Sequence, residues 1–102
     1  MGCGRVGSSL ATELEAEGHS VAIIDQSREA FRRLGPDFKG RTISGVGFDR
    51  DTLLEAGIET ADAFAAVSNG DNSNILAARV ARETYGVANV VARISDPGRA
   101  EI

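Results

Sequence analysis

Gly2-Cys3-Gly4-Arg5-Val6-Gly7 places glycine at the first, third and sixth positions of a turn that opens onto a helical pattern. Each glycine has its own physical use at this spacing. The first makes the tight turn, the second lets a pyrophosphate approach the backbone, and the third lets the helix pack close to a sheet. Phosphates at such a turn face the positive end of the helix dipole and its free N–H groups. Glycine-rich turns are common, so the spacing alone is weak. Three neighbouring features strengthen it: a helix follows, a buried-type strand follows the helix, and that strand ends in Asp25, 18 residues beyond Gly7. An acid at about this distance binds the hydroxyl pair of a ribose and repels a 2′-phosphate, which favours NAD or an adenosine nucleotide over NADP. The alternative for Asp25 is a solvated turn acid.

Working outward, Leu10, Ala11 and Leu14, with Val6 before them, give one apolar stripe on a helix over about 5–17, with Gly18 as its left-handed cap. Val21-Ala22-Ile23-Ile24 is a continuous apolar run, as in a strand covered on both faces. Ser27 is placed to cap a second helix with Ala30, Phe31 and Leu34 inward, stopped by Gly35-Pro36. Thr42-Ile43-Ser44 reads as a weaker strand. Asp51 is placed to cap a short helix over 52–56, ended by Gly57, with Ile58 folding back. Residues 63–67 read as a buried strand, 72–85 as a helix with Ile75, Ala78, Ala81 and Tyr85 on one side, and 90–94 as the last strand; Ser95-Asp96-Pro97 looks like the start of one more helix. Strands alternating with helices predict a Rossmann-like, doubly wound parallel α/β sheet with right-handed crossovers.

One condition of the glycine fingerprint is unmet, because only Met1 stands before it. The strand that should precede it is central in a doubly wound sheet, between the strands ending at Ile24 and Val67. The expectation is a nucleotide-binding lobe over 1–102 whose first strand comes from further chain or from a second copy.

The remaining composition sets limits. A chain of 102 residues is one domain, and 42% hydrophobic with 25% charged residues is ordinary for a globular one. With no Trp, one Tyr and four Phe, small and aliphatic residues must do most of the packing. A net charge of −4 argues against nucleic acid as the main partner. No apolar run approaches the ~20 residues that cross a bilayer, so direct membrane insertion is not expected. One Cys and one His cannot build a zinc site, and a reducing cytoplasm is the default compartment.

Several further stretches give the sequence a specific resemblance. Gly-Cys-Gly-Arg-Val-Gly has arginine after its second glycine, and Gly18-His19 leads to the strand ending at Asp25. Leu53-Leu54-Glu55-Ala56-Gly57-Ile58, Ser68-Asn69-Gly70-Asp71-Asn72-Ser73-Asn74, and Ala92-Arg93 before Asp96-Pro97 add to it. Over nearly its whole length the chain resembles the N-terminal lobe of the RCK/KTN (TrkA-N type) family, cytoplasmic regulatory domains of potassium channels and transporters. The resemblance implies a lobe, here truncated at both ends, that binds NAD(H), ADP or ATP and converts nucleotide state into gating. It implies homo-oligomers, dimers or higher rings, held at the membrane through a channel or transporter subunit. The nucleotide-binding residues it implies are Gly2, Cys3, Gly4, Arg5, Val6, Gly7, Asp25, Gln26, Val46, Gly47, Ser68, Asn69 and Asn74. In one departure, Gly45-Val46-Gly47-Phe48-Asp49 puts Val46 where the family commonly has an acid beside the adenine; Phe48 is then placed to give apolar or stacking contact.

Each singled-out residue also has a plainer use. Arg5 opposes the helix dipole and gains from an anion, or is simply solvated. Cys3 is a small filler, or a thiolate stabilised at a helix start. Ser68, Asn69 and Asn74 either contact ligand or cap the following helix. Arg28, Arg32 and Arg33 form a basic face, and Arg93 reaches a nucleotide, an interface or an ion-pair partner. Two other functions compete with regulation: the cofactor-binding fragment of an NAD-dependent oxidoreductase, and a degenerate Rossmann module used for assembly. An enzyme is not expected, since Tyr85 has no lysine four residues on, and Lys39 and His19 lie in peripheral turns.

Overall fold

The computed structural model of the protein describes residues 1–95, so all but the first residue of the helix expected from Ser95-Asp96-Pro97 lies outside the described residues. The elements are α1 (Arg5–Ala16), β1 (Ala22–Asp25), a 3₁₀ helix (Arg28–Leu34), β2 (Arg41–Ser44), α2 (Arg50–Glu55), a 3₁₀ turn (Ile58–Thr60), β3 (Ala63–Ala66), α3 (Asp71–Arg79) continuing as a π-helical turn (Val80–Thr84), and β4 (Asn89–Ala92). Both strand pairs are parallel: β1 runs beside β2 with Ile24 opposite Ile43, and β3 beside β4 with Phe64 opposite Val90. The fold is therefore mixed α/β with parallel strands, set in two two-stranded sheets.

The apolar run in β1 is covered on both faces, as its lack of alternation predicts. Ile23 packs with Cys3, Ala11 and Leu34 on one side. Ile24 packs with Ile43, Leu53, Ile58 and Phe64 on the other. Four of the turn glycines take positive φ: Gly18, Gly35, Gly57 and Gly86 end the segments before them. Ile58 folds back and is buried, as the turn at Gly57 requires.

Local capping differs from expectation in two places. Asp49, not Asp51, caps α2: its carboxylate accepts from the N–H of Thr52 at 3.1 Å. The bond needs the acid three residues before the donor, and Asp51 already lies inside the first turn. Ser27 stands at the start of the 3₁₀ helix without a side-chain cap bond, and its N–H donates to Asp25 at 2.8 Å. In α1 the buried positions are Gly7, Ser8 and Ala11, while Val6 is exposed; the small residues face inward because the helix start rests directly on backbone. In α3 the buried stripe is Asn74, Ala77 and Ala78, continued by Ala81, so alanines rather than Ile75 set the close approach.

Met1 and Gly2 join the two sheets. The Gly2 N–H donates to the carbonyl of Ile24 at 2.7 Å, and the Val67 N–H donates to the carbonyl of Met1 at 2.9 Å. The Met1 amino group donates to the Ala65 carbonyl at 2.7 Å. Burial there lowers the pKa of that amino group to about 6, against the opposing pull of Asp25 and Cys3. These two residues thus make the hydrogen bonds of a strand running parallel to β1 and β3. Behind them lies a groove of about 540 Å³ whose walls include Leu10, Leu14, Ala22, Ile24, Phe64 and Ala65. Its walls are mostly apolar, with Arg41, Asp62, His19 and Ser20 also among them, and its long sides are strand edges.

Five or six apolar, β-branched residues joined ahead of Met1 are expected to fill this groove and raise the melting temperature by at least about 5 °C, the shift of roughly 1 kcal/mol in a domain this size. A Gly-Ser extension of the same length should leave it unchanged, and equal melting of the two by calorimetry would refute the expectation. A second test concerns Tyr85, whose hydroxyl is buried with no hydrogen-bond partner among the described residues. An unsatisfied buried hydroxyl costs about 1–3 kcal/mol, so Tyr85→Phe should be neutral or stabilising in denaturant titration.

Candidate functional site

The glycine turn is shaped by contact on two sides and openness on the third. Gly2 has φ +102°, and a Cβ there would come within 2.7 Å of the backbone N and Cα of Ser68. A Cβ on Gly7 would run into the carbonyl oxygen of Gly2, so α1 packs on the turn itself. Around Gly4 a Cβ would meet nothing within 4 Å. The first and third glycines are therefore structural, and the second faces free space, the arrangement a pyrophosphate needs.

Asp25 fixes this turn. One carboxylate oxygen accepts from the Cys3 N–H at 2.8 Å and the other from the Ser27 N–H at 2.8 Å. It is half-buried at the end of β1 and is not a solvated turn acid. The Arg33 guanidinium reaches the Cys3 carbonyl at 3.4 Å from the 3₁₀ helix. An acid on the loop amide and an arginine on the loop carbonyl hold Cys3 between them.

A cavity of about 290 Å³ opens where the ends of β1, β2 and β3 meet the turn. Of the residues expected at a nucleotide, Gly2, Asp25, Gln26, Gly47 and Ser68 line it. Cys3, Gly4, Arg5, Val6, Gly7, Val46, Asn69 and Asn74 do not. Gly4 and Arg5 stand at the helix start, with Arg5 exposed. Gly7 is buried under the turn, and Val6 points away from the core. Asn74 is fully buried with its amide bonded to Ser68 and Arg93, so it reaches the cavity only through Ser68. The lining adds Gly45, Phe48, Gly70 and Ser73. Phe48, 37% exposed, stands where an apolar contact to a base was expected. Gly70 and Ser73 belong to the stretch that carries the family resemblance but are not among the expected nucleotide contacts; the approach of the β3–α3 loop to Gly2 brings them to the site.

Cys3 is a filler. Its side chain is fully buried and its thiol donates to the Ala30 carbonyl at 3.3 Å. Burial first, and the Asp25 charge second, raise the thiol pKa despite opposing Arg33. That runs against the stabilised thiolate a helix start would otherwise give.

Parallel strands with a glycine turn and a strand-end acid at their carboxyl ends define a Rossmann-like domain. Comparison with known proteins gives the family: the TrkA-N domain model matches residues 1–102, and the chain belongs to that family. It is 69% identical over 102 residues to the Trk system potassium uptake protein TrkA of Streptomyces coelicolor, covering all of this chain and 46% of that protein. It is 42% identical over 102 residues to a Trk system potassium uptake protein TrkA homolog of Pyrococcus abyssi, again all of this chain and 45% of that protein. The Vibrio alginolyticus Trk system potassium uptake protein TrkA is 36% identical over 97 residues, 95% of this chain and 21% of that protein. The chain spans about half or less of the length of these relatives.

The buried thiol gives a direct test. Alkylation of Cys3 by iodoacetamide at pH 8 should be at least about tenfold slower in the native protein than in guanidinium chloride, since the thiolate is the nucleophile. The sign of the pH effect follows from the raised pKa. Near and above the usual cysteine value of about 8.5, the unfolded chain loses the proton while the folded thiol keeps it, so stability should fall as pH rises through that range. Equal alkylation rates in the two states would show that Cys3 is open to solvent.

Proposed function

We propose that this chain is a regulatory nucleotide-sensing domain that binds NAD(H) or ADP/ATP and controls a potassium channel or transporter. The observation that carries this is a cavity at the strand ends that holds Asp25, Gln26 and Ser68 and is lined by Gly2 of the same turn in which Gly4 has an open face. At about 290 Å³ the cavity is at the small end of ligand sites. It suits one nucleoside, with phosphates continuing past Gly4 toward the exposed Arg5. Asp25 uses two of about four acceptor positions on the loop amides, leaving acceptors for ribose hydroxyls. Gly47 and Phe48 flank the base, with Val46 in the same loop.

Potassium transport enters through the relatives, each named as part of a Trk system for potassium uptake. By that likeness the domain works as a dimer or larger ring beside a membrane subunit, on the cytoplasmic side. No helix among the described residues is long and apolar enough to cross a membrane. Among the described residues Asp25 is the one titratable side chain in the cavity lining, and two loop amides hold it. That favours sensing over an oxidoreductase, which would need a proton-transfer group at the cofactor.

Titration calorimetry with ADP, ATP, NAD and NADH tests the reading. Ligand at a hundred times Kd should add about 2.7 kcal/mol to stability, and Gly4→Val should abolish the effect by filling the open face. NADP should bind about tenfold more weakly than NAD, a difference of ~1.4 kcal/mol from the charge of Asp25 against a 2′-phosphate. Absence of binding by all four nucleotides would refute nucleotide sensing, and equal affinity for NAD and NADP would show that Asp25 does not meet the ribose.

A further inference from the structure

Asn74 is a fully buried polar side chain in the first turns of α3. Its carbonyl oxygen accepts from the Ser68 N–H at 3.0 Å and the Ser68 hydroxyl at 2.7 Å. Its amide group donates to the Ser68 carbonyl at 2.9 Å and to the Arg93 carbonyl at 2.9 Å. Both donors and both acceptor positions of the amide are used. Three residues earlier on the same helix face, Asp71 accepts from the Ser95 N–H at 3.0 Å and the Ser95 hydroxyl at 2.8 Å. One side of this helix start therefore holds the chain leaving β4. Its other side, with Gly70 and Ser73, lines the cavity beside Asp25.

Ser68 connects the two. It lines the cavity, and its backbone is the surface against which Gly2 turns. Asn74 binds every hydrogen-bonding group of Ser68, so a displacement of Ser68 by a ligand cannot leave Asn74 in place without breaking buried bonds. Those bonds are short, and an unpaired buried group is costly, so the cluster moves as a unit or not at all.

We propose that Asn74 is a positioning residue that ties residues 93–95 to the Ser68 wall of the nucleotide site, so that occupancy of the site and the placement of the chain leaving β4 are coupled. This rests on the nucleotide reading above. It adds to it a route by which a bound nucleotide acts on whatever the chain is joined to beyond β4. A loop clamp alone would stabilise the β3–α3 turn, but it would not make Ser95 respond to ligand.

The test uses the 102-residue chain and ADP. Calorimetry first establishes that ADP binds; if it does not, the nucleotide reading fails and the coupling fails with it. With binding established, amide exchange at Ser95 measured by NMR should slow by at least about fivefold on saturation, the lower end of usual coupling between sites. In Asn74→Leu at saturating ADP, Ser95 should show no such slowing. Coupling is reciprocal, so the exposed change Ser95→Pro, which removes both hydrogens that Ser95 gives to Asp71, should weaken ADP binding by a similar factor. The Ser95→Pro arm also serves if Asn74→Leu fails to fold. Unchanged Ser95 exchange in the wild-type complex, or unchanged ADP affinity in Ser95→Pro, would overturn the coupling while leaving nucleotide binding intact.

Discussion

The structure depends on how closely the backbone at Gly2 meets the ends of β1 and β3. The Gly2 N–H is bonded to Ile24, the Met1 carbonyl to Val67, and Ser68 lies where a Cβ on Gly2 would stand. Gly7 then brings α1 down onto the Gly2 carbonyl. None of these approaches tolerates a side chain, and together they determine where α1 begins and which way its free N–H groups face. The two-stranded sheets have no direct strand pairing with each other, so these two residues carry the register between them.

That constraint explains the use of Asp25. A carboxylate at the end of β1 beside a helix start is favoured by the dipole, and here it also satisfies two loop amides, those of Cys3 and Ser27. The turn is thus preorganised by the same side chain that would meet a ribose. Preorganisation lowers the ordering cost of binding. It also explains why a buried cysteine sits between the glycines: its neighbours leave room for a small apolar side chain and a weak donor to Ala30, and burial, with the nearby acid second, raises the thiol pKa.

The opposite wall is built from different chemistry. Ser68, Asn74 and Asp71 form a polar cluster at the carboxyl ends of β3 and β4, where backbone groups leaving the strands need partners. An alanine stripe on α3, Ala77 and Ala78, lets the helix lie close enough for those side chains to reach. Leu53, Ile58 and Phe64 fill the space beneath. The cavity is therefore bounded by a glycine turn on one side and a fully bonded amide cluster on the other.

By itself the sequence determined the order of elements and the parallel α/β class, because apolar runs, helical stripes and glycine stops are local signals with a fixed period. It also placed the glycine turn and its acid, since both depend on chain spacing. Cap positions were legible only to within two residues: Asp49 and Asp51 are chemically alike, and the first turn of α2 selects between them by geometry. Tertiary structure decided the remainder. Asn74 looked like a ligand contact because it is polar and near a strand end, yet the packing of α3 buries it and assigns its amide to Ser68 and Arg93. Gly70, Ser73 and Gly45 reach the cavity only because loops distant in sequence converge at the strand ends. Such convergence is a property of the crossovers and of close backbone contact, which no local pattern of residues encodes.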